Sequence, residues 1–229
     1  MPSSAARLAS AVAHVRDGGL LAYPTETVYG LGADARSPAA VERLRRWKGR
    51  DAEQPISILV DAPSALAGLG LAETLVARRL AARFWPGPLT LVLAASPGRF
   101  APGIARADGA IGVRCSPDPT ASALASALGR AGVGPITATS LNRSGEPPVS
   151  DAGAARALLR RHPGPQLLLP LDEGRGSAGP EDPGASRRSG AQPSTVVDCS
   201  GPAFVVIRAG AIPEAALAKA VQPGEPSSP

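Results

Sequence analysis

Aromatic residues are scarce, making up 3% of the 229 residues. A core for a chain of this length therefore has to be built from Ala, Leu, Val and Ile, and a surface that grips nucleic acid by stacking bases on rings is disfavoured. Lysine is almost missing: Lys48 and Lys219 are the only two. Arginine carries the positive charge, so an isolated Arg says little and Lys48 stands out. Cys115 and Cys199 lie far apart with no Cys-x-x-Cys pair. That excludes a disulfide framework and fits a reducing, cytoplasmic setting. His14 and His162 sit in separate helical stretches, so no His/Cys/Asp cluster has the spacing of a structural metal site. No apolar run reaches membrane-spanning length, and the N-terminus lacks the charged-then-apolar pattern of a secretory signal.

The remaining composition is that of a globular chain, 44% hydrophobic and 19% charged. Length predicts one large domain, or one domain plus tails. A formal charge of +5 and a pI near 10 favour anionic partners such as nucleotides, RNA or phosphate metabolites.

The pattern alternates helices and strands. Residues 4–17 read as an amphipathic helix, capped by Ser3 or Ser4 and stopped by Gly18-Gly19. A strand over Leu20–Tyr23 is cut by Pro24, delivering a polar turn (Thr25, Glu26, Thr27) ahead of Gly30 and Gly32. Ser37-Pro38 starts a second helix, with Val41 and Leu44 inward and Arg43, Arg45 and Arg46 facing elsewhere. Gly49 breaks that helix and lets Lys48 and Arg50 turn toward one anion. Strands follow at 56–60, 89–93, 110–114, 134–138, 167–169, 194–198 and 204–208, with helices at 63–84, 117–128 and 151–161. The stretch 173–193 is dominated by Gly, Pro, Ser and Arg; a loop that long inside a domain is functional or disordered, and it reads as a candidate lid. The fold class is α/β (mixed α+β), a twisted open mixed sheet with helices packed on it.

The strand ends collect Thr25, Thr27, Lys48, Arg50, Arg114, Ser140, Asn142, Ser194 and Arg208. The set holds cations and neutral donors, and neither a Ser–His or Cys–His nucleophile pair nor paired carboxylates. It suits holding a polyanion and stabilising charge at phosphorus without covalent catalysis.

Seven stretches in order carry a resemblance: Tyr23 to Gly32, Lys48 to Arg50 with Pro55, Trp85 to Thr90, Gly112 to Arg114, Thr139 to Asn142, Ser194 to Asp198, and Arg208 to Ile212. Together they resemble the YrdC-like family of threonylcarbamoyl-AMP synthases, in its short single-domain form. The resemblance implies a YrdC-like catalytic domain over 1–212, then a short helix and flexible tail over 213–229. It implies formation of threonylcarbamoyl-AMP and pyrophosphate from L-threonine, bicarbonate or CO₂, and ATP, for tRNA threonylcarbamoyladenosine modification. Partner proteins would then transfer the threonylcarbamoyl group, and contact with tRNA or double-stranded RNA is a further implication. By this resemblance Thr27, Arg114, Ala138 and Ser194 are threonine-binding. Arg50, Gln54, Ala110, Ser140 and Arg208 are ATP-binding, and Lys48, Arg50, Ser140 and Asn142 are catalytic. Mg²⁺ is expected to arrive on the ATP phosphates, because the motifs hold no carboxylate cage.

Some positions depart from the family pattern. Leu59 stands where many relatives have His, Gln54 replaces the commoner Lys or Asn, and Leu141 replaces a small residue. These keep open a paralogue that makes a different carbamoyl or acyl adenylate. The basic charge keeps open a double-stranded RNA or tRNA-binding module without catalysis of its own.

Overall fold

The computed structural model describes residues 3–51, 54–171 and 192–222. Most of the 173–193 stretch read as a candidate lid, and the tail from 223, lie outside the described residues. In chain order the elements are α1 (Ser4–Arg16), β1 (Leu21–Tyr23), β2 (Gly30–Gly32), α2 (Pro38–Lys48), β3 (Ile58–Val60), α3 (Ala65–Gly68), α4 (Leu75–Phe84), β4 (Leu89–Ala94), β5 (Ala110–Cys115), α5 (Pro119–Arg130), β6 (Ile136–Thr137), β7 (Thr139–Ser140), α6 (Ala152–Arg161), β8 (Gln166–Leu167), β9 (Thr195–Asp198), β10 (Val205–Arg208) and α7 (Glu214–Val221).

The helices begin where a short polar side chain can satisfy the first free N–H groups. Ser3, Ser37, Thr74, Asp118 and Asp151 each accept from a backbone N–H of the following turn. Caps of this kind stabilise a helix by about 1 kcal/mol each. Pro38 and Pro119 fall in the first turn, where the missing N–H costs nothing. Gly49 ends α2 in the left-handed region at φ 65°, a conformation that needs no Cβ.

The strands divide into two mixed sheets, of order β7-β2-β1-β8 and β10-β9-β4-β5-β3-β6. This refines the expectation of one open sheet, and the reason lies in residues 134–140. Their polar–apolar run does not stay in one ladder: Thr137 pairs with Ile58 in the larger sheet and Ser140 with Gly30 in the smaller. Ala138 is the crossing point, its N–H donating to Ser57 O at 2.7 Å. The antiparallel portions expected around 89–114 and 194–208 are the β4–β5 and β9–β10 ladders.

Aliphatic side chains do fill the core, as the shortage of aromatics requires. One cluster lies under α2, α4 and the larger sheet and includes Leu44, Ile58, Leu80, Leu91 and Val113. A second, with Val15, Leu124, Leu128, Leu59 and Ile136, lies beneath α1 and α5. Both tyrosines are fully buried. Tyr23 donates to Thr137 O at 2.9 Å, which ties the two sheets together, and burial pushes its phenol pKa up. α7 packs on α4 and buries Leu217 completely.

One local reading needs correction. Arg45 does not face away from the protein; it is 6% exposed. Its guanidinium donates to the carbonyls of Asp51, Gln54 and Gly103, so it staples the segment after α2 to the 95–109 stretch. The glycines of β2 clear room for side chains more than for a ligand. A Cβ on Gly30 would lie 2.7 Å from the Tyr23 ring, and one on Gly32 would lie 2.3 Å from Ile136 Cδ1.

Candidate active site

A cavity of about 500 Å³ opens between the two sheets. One wall is a single row of side chains across five strands of the larger sheet. Leu59 on β3 pairs with Arg114 on β5, which pairs with Thr90 on β4, which pairs with Val196 on β9, which pairs with Arg208 on β10. All five line the cavity. Paired residues of neighbouring strands share a face, so register alone aims this row at one space.

Arg208 belongs to the row only because β10 carries a bulge. Val206 faces Val197, and the next pair is Arg208 with Val196, so Ile207 is the extra residue. A regular ladder would have put Ile207 opposite Val196 and turned Arg208 to the other face. As it stands, Ile207 is 51% exposed, and Arg208 reaches Ser194, donating to its carbonyl at 2.8 Å and its Oγ at 3.2 Å. Ser194 Oγ also lies 3.0 Å from Thr90 Oγ1.

The facing wall comes from the smaller sheet and its turns. Thr25, Thr27, Tyr29, Gly30 and Ser140 line it, with Ala138 and Thr139 at the crossing between sheets. Thr25 Oγ1 donates to Val28 O at 2.6 Å and lies 3.2 Å from Thr27 Oγ1, which fixes the polar turn. Arg114 Nη2 donates to Thr27 Oγ1 at 2.7 Å and to Glu26 Oε1, joining the walls. Arg50 enters from the end of α2, donating to Thr139 Oγ1 at 3.1 Å and Pro55 O at 2.8 Å.

The electrostatics are one-sided. Among the described residues, Arg50, Arg114 and Arg208 are the charged ones that line the cavity, and no carboxylate does. Burial pulls the pKa of Arg50 down, with Arg45 adding repulsion, and burial and then Arg114 do the same to Arg208. The Nε atoms of Arg50 and Arg114 are buried with no hydrogen-bond partner. Such buried donors are costly to leave unmade. This donor set fits a nucleotide triphosphate and a carboxylate. Among the described residues no group of three or more His, Cys, Asp and Glu could hold a metal ion.

The structure brings together Thr27, Arg50, Arg114, Ala138, Ser140, Ser194 and Arg208. Lys48, Asn142, Gln54 and Ala110 do not line the cavity. Gly49 does turn the chain, but it separates Lys48 from Arg50 and gives them different targets. Lys48 Nζ donates to Ser140 O at 2.6 Å, Asn142 Oδ1 at 2.8 Å and Asn142 O at 3.1 Å. Asn142 Oδ1 also accepts from Ser140 Oγ at 2.7 Å, and its Nδ2 donates to Glu146 O at 2.6 Å. The pair braces the wall from behind. Gln54 is exposed, with its carbonyl taken by Arg45 at 2.9 Å. Ala110 pairs with Ala94 at the opposite end of β5 from Arg114. Leu59 does line the cavity, as an apolar patch beside Arg114.

Sequence reasoning assigned no role to Thr90 or Ser57, which line the cavity, or to Glu26 just behind it. Thr90 had a signal: it is the one polar residue in the strand Leu89–Ala94. Ser57 had none, because its place depends on the β6–β7 crossing.

Fold and cavity define a class: a mixed α/β protein with an arginine-lined cavity between two mixed sheets. A family model described as telomere recombination, Sua5_yciO_yrdC, matches residues 13–177. A putative threonylcarbamoyl-AMP synthase of Mycobacterium tuberculosis is 35% identical over 205 residues, 90% of this chain and 84% of that protein. The threonylcarbamoyl-AMP synthase of Chromohalobacter salexigens is 41% identical over 158 residues, 69% of this chain and 82% of the relative. The structure of P. abyssi Sua5 complexed with L-threonine superposes with a TM-score of 0.76 at 31% identity, covering 93% of this chain and 56% of that one. E. coli YciO superposes with a TM-score of 0.70 at 25% identity, covering 92% and 91%. The chain belongs to the Sua5/YciO/YrdC family. It spans just over half the length of the P. abyssi protein, and most of the length of the other three.

Proposed function

We propose that the chain is a threonylcarbamoyl-AMP synthase, a nucleotidyltransferase that joins L-threonine, CO₂ or bicarbonate, and ATP. The observation that carries the reading is the cavity: three arginines, two with buried unpaired Nε atoms, and no carboxylate among the described residues that line it. Its relatives named for this activity and the threonine complex of P. abyssi Sua5 support it.

The chemistry needs no enzyme nucleophile. The threonine amine adds to CO₂ and loses a proton, giving a carbamate. A carbamate oxygen attacks the α-phosphorus of ATP, the bond to the bridging oxygen breaks, and pyrophosphate leaves. Both partners are anions, so the work is to hold like charges together and stabilise charge that develops at phosphorus. Arg114, with Thr27 and Ser194 nearby, is the seat for threonine. Arg50, Ser140 and Arg208 are the seat for the nucleotide. Lys48 and Asn142 act by keeping the Ser140 segment in place. Mg²⁺ would travel with the ATP phosphates, and among the described residues no carboxylate lines the cavity to hold it. The adenylate then passes to threonylcarbamoyl-transferring partners in the cytoplasm, with tRNA as the final acceptor.

An RNA-binding module that reads phosphates at its surface would have no use for three arginines gathered in a cavity between two sheets. The test is pyrophosphate release: it should require threonine, bicarbonate and ATP together, with threonylcarbamoyl-AMP identified by mass spectrometry. A different amino acid giving the faster adenylate would favour the paralogue reading, and release from ATP alone would refute the assignment.

A further inference from the structure

Glu26 is absent from the cavity wall, yet it is the carboxylate closest to the chemistry by connection. It sits on the polar turn between β1 and β2, in the smaller sheet. Its two oxygens are spent on the larger sheet: Oε1 accepts from Arg114 Nη2, and Oε2 accepts from Ser116 Oγ at 2.5 Å. Ser116 Oγ in turn accepts from the N–H of Asp118, the cap of α5, at 3.2 Å. The Arg114 and Glu26 side chains are only 13% and 18% exposed.

Arg114 Nη2 has two hydrogens, and the protein uses both, one on Glu26 and one on Thr27. The remaining donors, on Nη1 and Nε, have no partner among the described residues, and Nε is buried. Glu26 therefore decides which part of the guanidinium the cavity receives. It also fixes the distance between the sheets at the point where Thr27 and Arg114 meet.

We propose that Glu26 is a positioning residue, which holds the Arg114 guanidinium in the orientation that receives the substrate carboxylate. The inference rests on the proposed activity. Two roles are separable by sign. If Glu26 only damped the charge of Arg114, neutralising it would leave a stronger cation and tighten anion binding. If it positions, removing it lets the guanidinium turn, and a misplaced donor weakens binding.

The experiment uses Glu26→Ala, Glu26→Gln and Ser116→Ala in the full chain. KM for threonine and for ATP, kcat and thermal midpoint are measured for each. Glu26→Ala should raise KM for threonine by about 10–100-fold, the scale of a small misplacement, while KM for ATP changes by less than about threefold. Glu26→Gln keeps an oxygen for Arg114 and should recover most of the loss. Ser116→Ala should fall between wild type and Glu26→Ala. Orientation is read separately from activity by ¹⁵N NMR of the Arg114 side chain, assigned with Arg114→Lys. Its Nη1 and Nη2 signals should be distinct in the wild type and in Glu26→Gln, and averaged in Glu26→Ala. Threonine binding as tight as wild type in Glu26→Ala overturns the role, as does an equal rise in both KM values. Averaged Nη signals in the wild type overturn it too, whatever the activity. A wild type with no threonine-dependent pyrophosphate release but distinct Nη signals removes the substrate assignment and leaves the positioning role standing.

Discussion

Arg208 lies opposite Val196 because one extra residue, Ile207, bulges from β10. That single step sets which side chain enters the cavity. Deleting Ile207 removes the extra residue and leaves Arg208 next after Val206, still opposite Val196 and on the cavity face. Activity should then stay within about tenfold of wild type, whereas Arg208→Ala should lose on the order of 10²–10³-fold, the scale of losing one preorganised charged donor. Ile207→Ala keeps the bulge and changes an exposed side chain, so turnover should stay near wild type and stability within about 0.5 kcal/mol. Pyrophosphate release from the three variants separates backbone register from side-chain chemistry. A loss in the deletion variant as deep as in Arg208→Ala would show that the bulge geometry itself, and not register alone, aims the guanidinium.

Arg50 differs from Arg208 in what holds it. Its donors reach Thr139 Oγ1 and Pro55 O, and its Nε is buried and unpaired. Arg50→Ala should cost on the order of 10²–10³ in rate. Arg50→Lys should recover only part of it, because an ammonium cannot reproduce a planar guanidinium anchored at two donors. Full recovery by lysine would mean that Arg50 supplies charge alone.

Much of this site is legible in the sequence, for identifiable reasons. Thr27, Arg114, Ser194 and Arg208 lie at strand ends, where alternation and turn residues locate them. The caps at Ser37 and Asp118 and the stop at Gly49 are local, so their helices can be read directly. What is hidden depends on partners distant in sequence. Arg45 reads as one of three exposed arginines until Gly103 closes over it. Lys48 reads as a phosphate ligand until the 140–142 segment presents three oxygens to its Nζ. The switch of sheets at Ala138 has no local signature, because β6 and β7 form one continuous polar–apolar run.

The β2 glycines make a packing prediction. A Cβ at Gly32 would lie 2.3 Å from Ile136 Cδ1 and 3.0 Å from Tyr23 Cε1, both in side chains with no exposure. Gly32→Ala should destabilise by about 1–3 kcal/mol through overpacking. Ile136→Ala alone opens a cavity and should cost about 2–5 kcal/mol. The double variant should be more stable than the two losses predict, by at least about 0.5 kcal/mol, because the added methyl enters the vacated space. Simple additivity in urea melts would show that the two residues do not compete for volume.

Lys48 makes a prediction in pH. Three oxygens favour its ammonium, but burial, followed by Arg50 and Arg143, outweighs them and pulls the pKa down from 10.5 to about 8. At neutral pH, Lys48→Met leaves those oxygens without a charged donor and should cost about 2 kcal/mol or more. Between about pH 8 and 10.5 the unfolded chain holds the Lys48 proton more firmly than the folded one. Unfolding then takes up a proton, so this group's contribution to stability rises with pH across that window and is flat below it. The wild type should therefore gain on Lys48→Met as pH rises from about 8, with the gap constant at lower pH. Urea melts of both proteins at about pH 7 and about pH 9.5 check this, since the other titrating groups are common to both and cancel. A gap that narrows with rising pH would mean that the three oxygens dominate and hold the Lys48 proton above its ordinary pKa.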